Sequence, residues 1–222
     1  MDRELIVRGE GEVRAMPDLA SVQVGVEGDG LSRDEAYQTA SRAAAAVDRV
    51  LADFDASIGR VTTSALAVQP KTRWRKGESQ RTGWQAVRVS VVEITDTSRV
   101  GELLNALAAA GANISGLAWM VAPANEAFAL ARRRAGEDAT GRAEQYAHAL
   151  GISLGPVAWA SEPGLRSTGQ VGGTGPMGLR AVAAASVGAG AAEEPINVNP
   201  EEITIQAALE VGYYIAAAQS ES

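Results

Sequence analysis

The spacing of apolar residues along the chain changes from two to about four and back, and the changes mark out the elements. Leu5, Val7, Gly9, Gly11, Val13 and Ala15 alternate with Glu4, Arg8, Glu10, Glu12 and Arg14, Ile6 being the exception. That pattern predicts a strand with one buried face, and glycines inside a strand predict a bulge or the close approach of a helix. Met16-Pro17-Asp18 breaks it. Ala20, Val22, Val24 and Val26 then alternate with polar residues or glycine, and the short connection predicts an antiparallel hairpin between the two strands. Ser32-Arg33-Asp34-Glu35 has the form of a capping box. A helix follows to about Phe54, with Ala36, Ala40, Ala43, Ala44, Val47, Val50, Leu51 and Phe54 on one face. Val61 to Gln69 reads as a strand closed by Pro70. Gly83 to Ile94 reads as another, with Val87, Val89 and Val91 in alternation. Thr95-Asp96 caps a helix carrying Val100, Leu103, Leu104 and Leu107, Gly111 ends it, and Ile114 to Val121 is a strand.

The longest helix is predicted from Asn125 to Leu150. Ala127, Ala131, Ala135, Ala139, Ala143 and Ala147 fall four residues apart, so their stripe winds slowly around a helix of 3.6 residues per turn. Alanine leaves little bulk and loses no side-chain entropy, which lets such a helix lie close to a sheet. Phe128, Tyr146 and Leu150 are expected to widen the buried face. Gly136 and Gly141 each cost roughly 1 kcal/mol against alanine, and Gly151 is the C-terminal stop. A strand from Gly155 to Ser161 follows. From Pro163 to Pro200 the periodicity vanishes and Gly, Ala and Ser dominate, predicting a long loop, disordered in part or helical near Leu179–Ser186. Ile203, Ile205, Ala207, Leu209, Val211, Tyr213 and Ile215 alternate as the last strand. The order is ββαββαβα-β-loop-β. Strands with one polar face are covered on one side only, which predicts an α+β fold: a mostly antiparallel sheet with helices on one face. With no linker near the middle, residues 1–222 are expected to form a single domain of two interlocked halves, with a Gly/Ala-rich loop at 163–200.

Composition narrows the function classes. The 222 residues are 46% apolar and 21% charged, the balance of a globular protein. Net charge is −7 and the pI about 4.9, which argues against general nucleic-acid binding, a process driven by cationic displacement of counterions. The absence of cysteine rules out disulfides, thiolate catalysis and cysteine-based zinc sites. No apolar run reaches membrane-spanning length. The strand pattern begins by Leu5 with no signal peptide before it, so a chain read from its natural start is expected to be cytoplasmic. If Met1 was added to a trimmed chain, a periplasmic or secreted location follows instead.

One stretch concentrates candidate chemistry. Pro70 to Trp84 holds Lys71, Arg73, Arg75, Lys76 and Arg81 against Glu78 alone, with Trp74 and Trp84 interleaved. Arginine with aromatics binds phosphates or stacks on bases. A solvated hairpin tip, its tryptophans packed across strands or on a neighbouring subunit, accounts for the same residues. His148 is the only histidine and is expected to be structural or solvated. Gly169 to Gly178 lacks the Gly-Lys-Ser/Thr of a phosphate loop. Asp18, Glu27, Glu93 and Glu210 lie on or beside strands with no spacing that pairs two as acid and base. No catalytic, cofactor or metal residues are expected.

Three motifs carry a family resemblance. Val7 to Val26 (V-R-G-E-G-E-V-x-A-x-P-D-x-A-x-V-x-V-G-V), Ala131 to Gly151 and Pro195 to Tyr213 resemble, in order, the signatures of SIMPL-domain proteins, which include periplasmic immunogenic antigens of Gram-negative bacteria. Asn199-Pro200 stands where the family more often shows Pro-Gly. The resemblance implies an α+β fold, ring- or channel-like homo-oligomers and a link to oxidative-stress protection, with no established catalytic residues. The expected function is therefore a non-enzymatic, self-assembling protein that uses its sheet edges, hairpin tip and Gly/Ala loop. One alternative is a binding module whose basic, tryptophan-bearing hairpin at 70–84 holds an anionic ligand, surface or partner. The other is an enzyme with a carboxylate site on the polar sheet face.

Overall fold

The computed structural model describes residues 3–75, 78–166, 182–184 and 199–217, with 74–75, 78–79, 182–184 and 217 described by their backbone alone. In chain order the elements are β1 (Glu4–Ala15), β2 (Leu19–Gly30), α1 (Arg33–Asp53), β3 (Ile58–Thr63), β4 (Ala67–Arg75), β5 (Glu78–Ile94) and α2 (Val100–Ala109). Then come β6 (Asn113–Met120), α3 (Glu126–Leu150), β7 (Ile152–Ser161), β8 (Val182–Ala184) and β9 (Ile203–Ala217). The α+β class expected from the pattern is present, in two antiparallel sheets rather than one, ordered β1-β9-β7 and β3-β5-β2-β6-β8, with β4 also pairing β5. The chain divides into two compact units, Met1–Met16 with Ala122–Ala181 and Glu202–Ser222, and Pro17–Val121 with Val182–Glu201.

In the first unit α3 lies on the β1-β9-β7 sheet. All six alanines of its stripe are buried. A Cβ placed on Gly9 would stand 2.1 Å from the Ala135 carbonyl oxygen, and one on Gly11 2.1 Å from that of Ala131. The two glycines therefore exist so that the helix backbone can rest on the strand. A period of four drifts by about 40° per step around the helix. The contact accordingly spreads from β1 alone to β1 and β9 together, with Ala139 and Ala143 against Val7, Val211 and Tyr213 and Leu154 and Leu209 beside them. Phe128 is buried as expected, but Tyr146 and Leu150 are 56% and 63% exposed. A stripe of single alanines is narrow, and side chains flanking its last turns point off a sheet of three strands. The side chain of Asn125 accepts from the Ala127 N–H, and Gly151 closes the helix at φ 62°.

The second unit repeats the device. Gly28 and Gly30 of β2 sit under α1, where added Cβ atoms would be 2.2 Å from the Ala40 nitrogen and 2.4 Å from that of Ala36. Ser32 caps α1 by accepting from the Glu35 N–H at 3.1 Å, and Glu35 reaches back to the Leu31 N–H at 2.9 Å. The four buried side chains of α2, Val100, Leu103, Leu104 and Leu107, are those of its predicted face. Asp96 accepts from the Ser98 N–H at 3.2 Å and so caps the short 3-10 turn that leads into α2.

Several expectations are corrected. β1 and β2 do not form a hairpin: β1 pairs with β9 along its whole length, and β2 pairs with β5 and β6. The Met16-Pro17-Asp18 link contains no glycine or asparagine of the kind a tight hairpin turn favours, and each glycine pair takes its own helix. The strand read from Val61 to Gln69 is two, because the chain breaks at Ser64–Leu66. The ladder is bridged there by the Ser64 N–H donating to the Val89 carbonyl at 2.8 Å and the Val89 N–H to Ser64 Oγ at 3.0 Å. Pro70 does not close that strand but lies inside β4 opposite Trp84, an edge position where its missing N–H is tolerated. Val182–Ala184, read as loop or helix, pairs with β6 opposite Met120 to Ala118. In β5 the buried positions are Ala86, Ser90, Val92 and Ile94, so Val87, Val89 and Val91 lie on the opposite face of the sheet, away from α1.

The glycine contacts give opposite expectations along one helix–strand pair. Gly11→Val should destabilise the fold by about 3 kcal/mol or more, through overpacking against helix backbone. Gly136 and Gly141 have nothing within 4 Å of an added Cβ. Gly136→Ala and Gly141→Ala should therefore each add about 1 kcal/mol. Urea denaturation of the three variants checks both signs.

Candidate functional site: the basic hairpin arm

The segment with the concentrated charge is an arm. β4 and β5 pair from Ala67↔Val87 outward to Arg75↔Glu78, with a register shift between Lys71 and Thr72. β2 follows β5 only as far as Gly30↔Trp84. Beyond that point Glu78–Gly83 has β4 as its partner and, among the described residues, no strand on the β2 side, so the ribbon runs on for about 20 Å at roughly 3.3 Å per residue. Gly83 marks the exit, since a Cβ there would be 2.8 Å from the Gly30 carbonyl oxygen.

The predicted site residues separate once placed. Trp84 packs with Leu66 and Val68 against Ala36, Ala40 and Ala86, so its ring is committed to the interior of the second unit. The Arg81 guanidinium lies 5.5 Å from the Trp84 ring centroid. Lys71 is paired with Asp29. Arg73 and Arg81 are exposed on the ribbon. The side chains of Trp74 and Arg75, and the whole of Lys76, lie outside the described residues, as does the glycine run Gly169–Gly178.

Of the carboxylates singled out earlier, Glu27 and Glu93 do not come together. Glu27 accepts from Gln85 Nε2 at 2.9 Å, and Glu93 from Arg60 at 2.5 Å. They stand toward opposite ends of the β2–β5 ladder, opposite Val87 and Ser21 respectively. Glu210 belongs to β9, and Asp18 precedes β2. His148 is exposed in the last turn of α3. Among the described residues no cluster of three or more His, Asp or Glu could hold a metal ion, and no helix is long and apolar enough to cross a membrane.

Contacts between distant parts of the chain escaped the sequence reading. Asp138 on α3 accepts from the Glu10 N–H at 2.9 Å, and Arg134 donates to the Glu12 carbonyl at 2.6 Å. Two backbone groups on the side of β1 away from β9 are thereby occupied, which blunts that edge toward another chain. The Glu10 N–H, and then Arg142 at 2.8 Å, hold the Asp138 carboxyl below its ordinary value of 3.8. On the outer face of the same sheet Trp159 covers Gly212, donates to Glu4 at 2.9 Å and carries Arg166 3.9 Å from its ring centroid. Arg and Asp four apart on a helix signal a shared face, but nothing local names a partner more than a hundred residues away. A shallow groove along α3, lined by Asp138, Gly141, Arg142, Gln145, Tyr146 and Ala149, adds no further cation or catalytic grouping.

Two outcomes follow. Trp84→Ala should cost about 2 kcal/mol of stability through lost burial, while Arg81→Ala leaves the melting temperature nearly unchanged. Asp138 titrates lower in the folded state, so its contribution is complete above the unfolded value and is lost as pH falls through the lowered one. The melting-temperature deficit of Asp138→Ala should hold from neutral pH down to about 3.8 and close only below it.

The chain resembles the 26 kDa periplasmic immunogenic protein of Brucella melitensis biotype 1, at 28% identity over 168 residues, which is 71% of this chain and 66% of that relative. The chain thus spans just under two thirds of that relative's length. An uncharacterized conserved protein from Listeria innocua aligns over 93% of this chain and 92% of its own, with a TM-score of 0.24 and 12% identity. The family model SIMPL, described as a protein of unknown function (DUF541), matches residues 5–213, and the chain belongs to that family.

Proposed function

We propose that this protein is a non-enzymatic, self-assembling SIMPL subunit whose β4–β5 arm docks on the acidic body of a neighbouring copy in a homo-oligomer. The observation that carries this reading is the arm itself. Among the described residues the outer part of the arm has no third strand; a two-stranded ribbon of that kind is marginal in water, and a second copy would supply further surface. The ribbon presents Arg73 and Arg81 from a chain of net charge −7. Like-charged arms repel each other, so the contact pairs an arm with a different surface. A head-to-tail contact of that kind closes into a ring when its rotation permits. The commitment of Trp84 to the interior and of Lys71 to Asp29 favours docking of the arm over small-anion capture by the same residues. The separation of Glu27 and Glu93 along one ladder supports a role without acid–base chemistry. The name of the Brucella relative supports a periplasmic setting, and a part in oxidative-stress protection rests on the family resemblance alone.

Light scattering of the native protein across salt and concentration tests the reading. A discrete oligomer that Arg73→Glu/Arg81→Glu reduces to smaller species is the expected result. A monomer at every concentration overturns it. Salt-sensitive binding of polyphosphate to that monomer would make the arm a ligand site.

A further inference from the structure

The middle of β5 is inside out. On the face toward α1 it carries Arg88 and Ser90, with Ser90 2% exposed and the Arg88 side chain 14% exposed. Arg88 is held there by Asp48 at 2.7 and 3.0 Å and by the Ala44 carbonyl at 3.3 Å, and its Nε remains buried without a partner. Ser90 is satisfied by Thr63 at 3.1 Å. The face away from α1 carries Val87, Val89 and Val91, of which Val89 is 38% exposed. Burying a guanidinium while leaving a valine row on the open side reverses the usual partition of an antiparallel strand. The register is not in question, since Ala86, Val92 and Ile94 at either end are fully buried on the α1 side, and a one-residue slip would expose them.

The surroundings of the valine row specify what covers it. Gly25 lies beside Val89 in the ladder, and its missing side chain leaves a dent next to the valine. Two of the three acidic groups around the row are paired with cations of the same chain, Glu93 with Arg60 and Asp29 with Lys71, while Glu27 keeps its charge and accepts from the Gln85 amide. A face with an apolar centre and a rim whose charges are mostly paired within the chain attracts no strongly charged partner, and it meets an identical face with little like-charge repulsion. This is the anatomy of a homodimer interface, more apolar at its core and poor in unpaired charge. A knob beside a dent is self-complementary under a two-fold axis.

Resting on the self-assembly reading but using a different surface from the arm, we infer that the outer face of the β3-β5-β2-β6 sheet is a two-fold interface between copies of this chain. Two such sheets pack face to face, with Val89 of each copy seated against Gly25 of the other and the Val87 and Val91 side chains closing around them. The contact is isologous, whereas the arm contact is head-to-tail, so an assembly using both is built from dimers.

The chain contains no cysteine, which makes the test direct. Val89→Cys should form a covalent dimer with a short bis-maleimide, whose spacer spans the roughly 10 Å between packed sheets, while Ala149→Cys on exposed α3 should cross-link far more slowly. Val89→Glu should lower the native mass at least two-fold by light scattering, with an unchanged far-UV circular dichroism spectrum. Val89→Thr, which keeps the β-branched shape, should weaken the dimer without abolishing it. Should Val89→Glu fail to fold, the cysteine pair decides alone. An oligomer that keeps its full mass in Val89→Glu, or a Val89→Cys that cross-links no faster than Ala149→Cys, overturns the inference and leaves the arm reading standing. An oligomer halved by Val89→Glu but untouched by Arg73→Glu/Arg81→Glu supports it and overturns the arm. A monomeric wild type overturns both.

Discussion

The structure depends on a contact made twice: a helix backbone resting directly on a strand at a Gly-x-Gly pair. Gly9 and Gly11 under Ala131, Ala135 and Ala139, and Gly28 and Gly30 under Ala36 and Ala40, leave room for no side chain at the crossing. Steric exclusion sets the position of each helix with little tolerance, because what would collide is backbone and not the end of a flexible side chain. The thin contact also explains the composition of the helices. Single alanines cover a narrow strip, so the remaining faces of α1 and α3 are free to carry charge, and some of that charge reaches back to the sheet. Arg134 and Asp138 occupy the edge of β1, and Asp48 holds Arg88 in β5.

Strand pairing follows from the same requirement. Each Gly-x-Gly strand needs its own helix, so β1 and β2, adjacent in sequence, belong to different sheets, and β1 finds its partner in β9 near the other end of the chain. Most pairing is therefore non-local, and loop-closure entropy must be met before it stabilises the fold. Within the first unit the edges are poor templates for another chain. β1 is occupied at Glu10 and Glu12, and β7 carries two register shifts and Pro156. In the second unit the ribbon that outruns β2 and the valine row of β5 are the features proposed to meet a second copy.

Much of this was legible in the residues. The cap at Ser32, the stop at Gly151, the faces of α1 and α2, the alternation of β1, β2 and β9 and the α+β layering are consequences of local stereochemistry and periodicity. The basic hairpin at 70–84 was legible as a ribbon, because its charges and its pairing lie within a few residues of each other. The glycines signalled a close approach without naming the helix involved. Tyr146 and Leu150 were misplaced because periodicity shows the direction of a face but not the width of the sheet beneath it.

What the sequence determined by itself, then, is everything carried by contacts of one or two turns or one hairpin. Only the tertiary structure decided which strands pair, that there are two sheets, that Trp84 is committed to the interior and Lys71 to Asp29, and that β5 turns its valines outward. Those outcomes join groups tens to hundreds of residues apart. A valine alternating with arginine and serine reads the same whichever face is buried. The choice falls to Ala86, Val92 and Ile94 at the ends of the strand and to Asp48 on a helix packed above it.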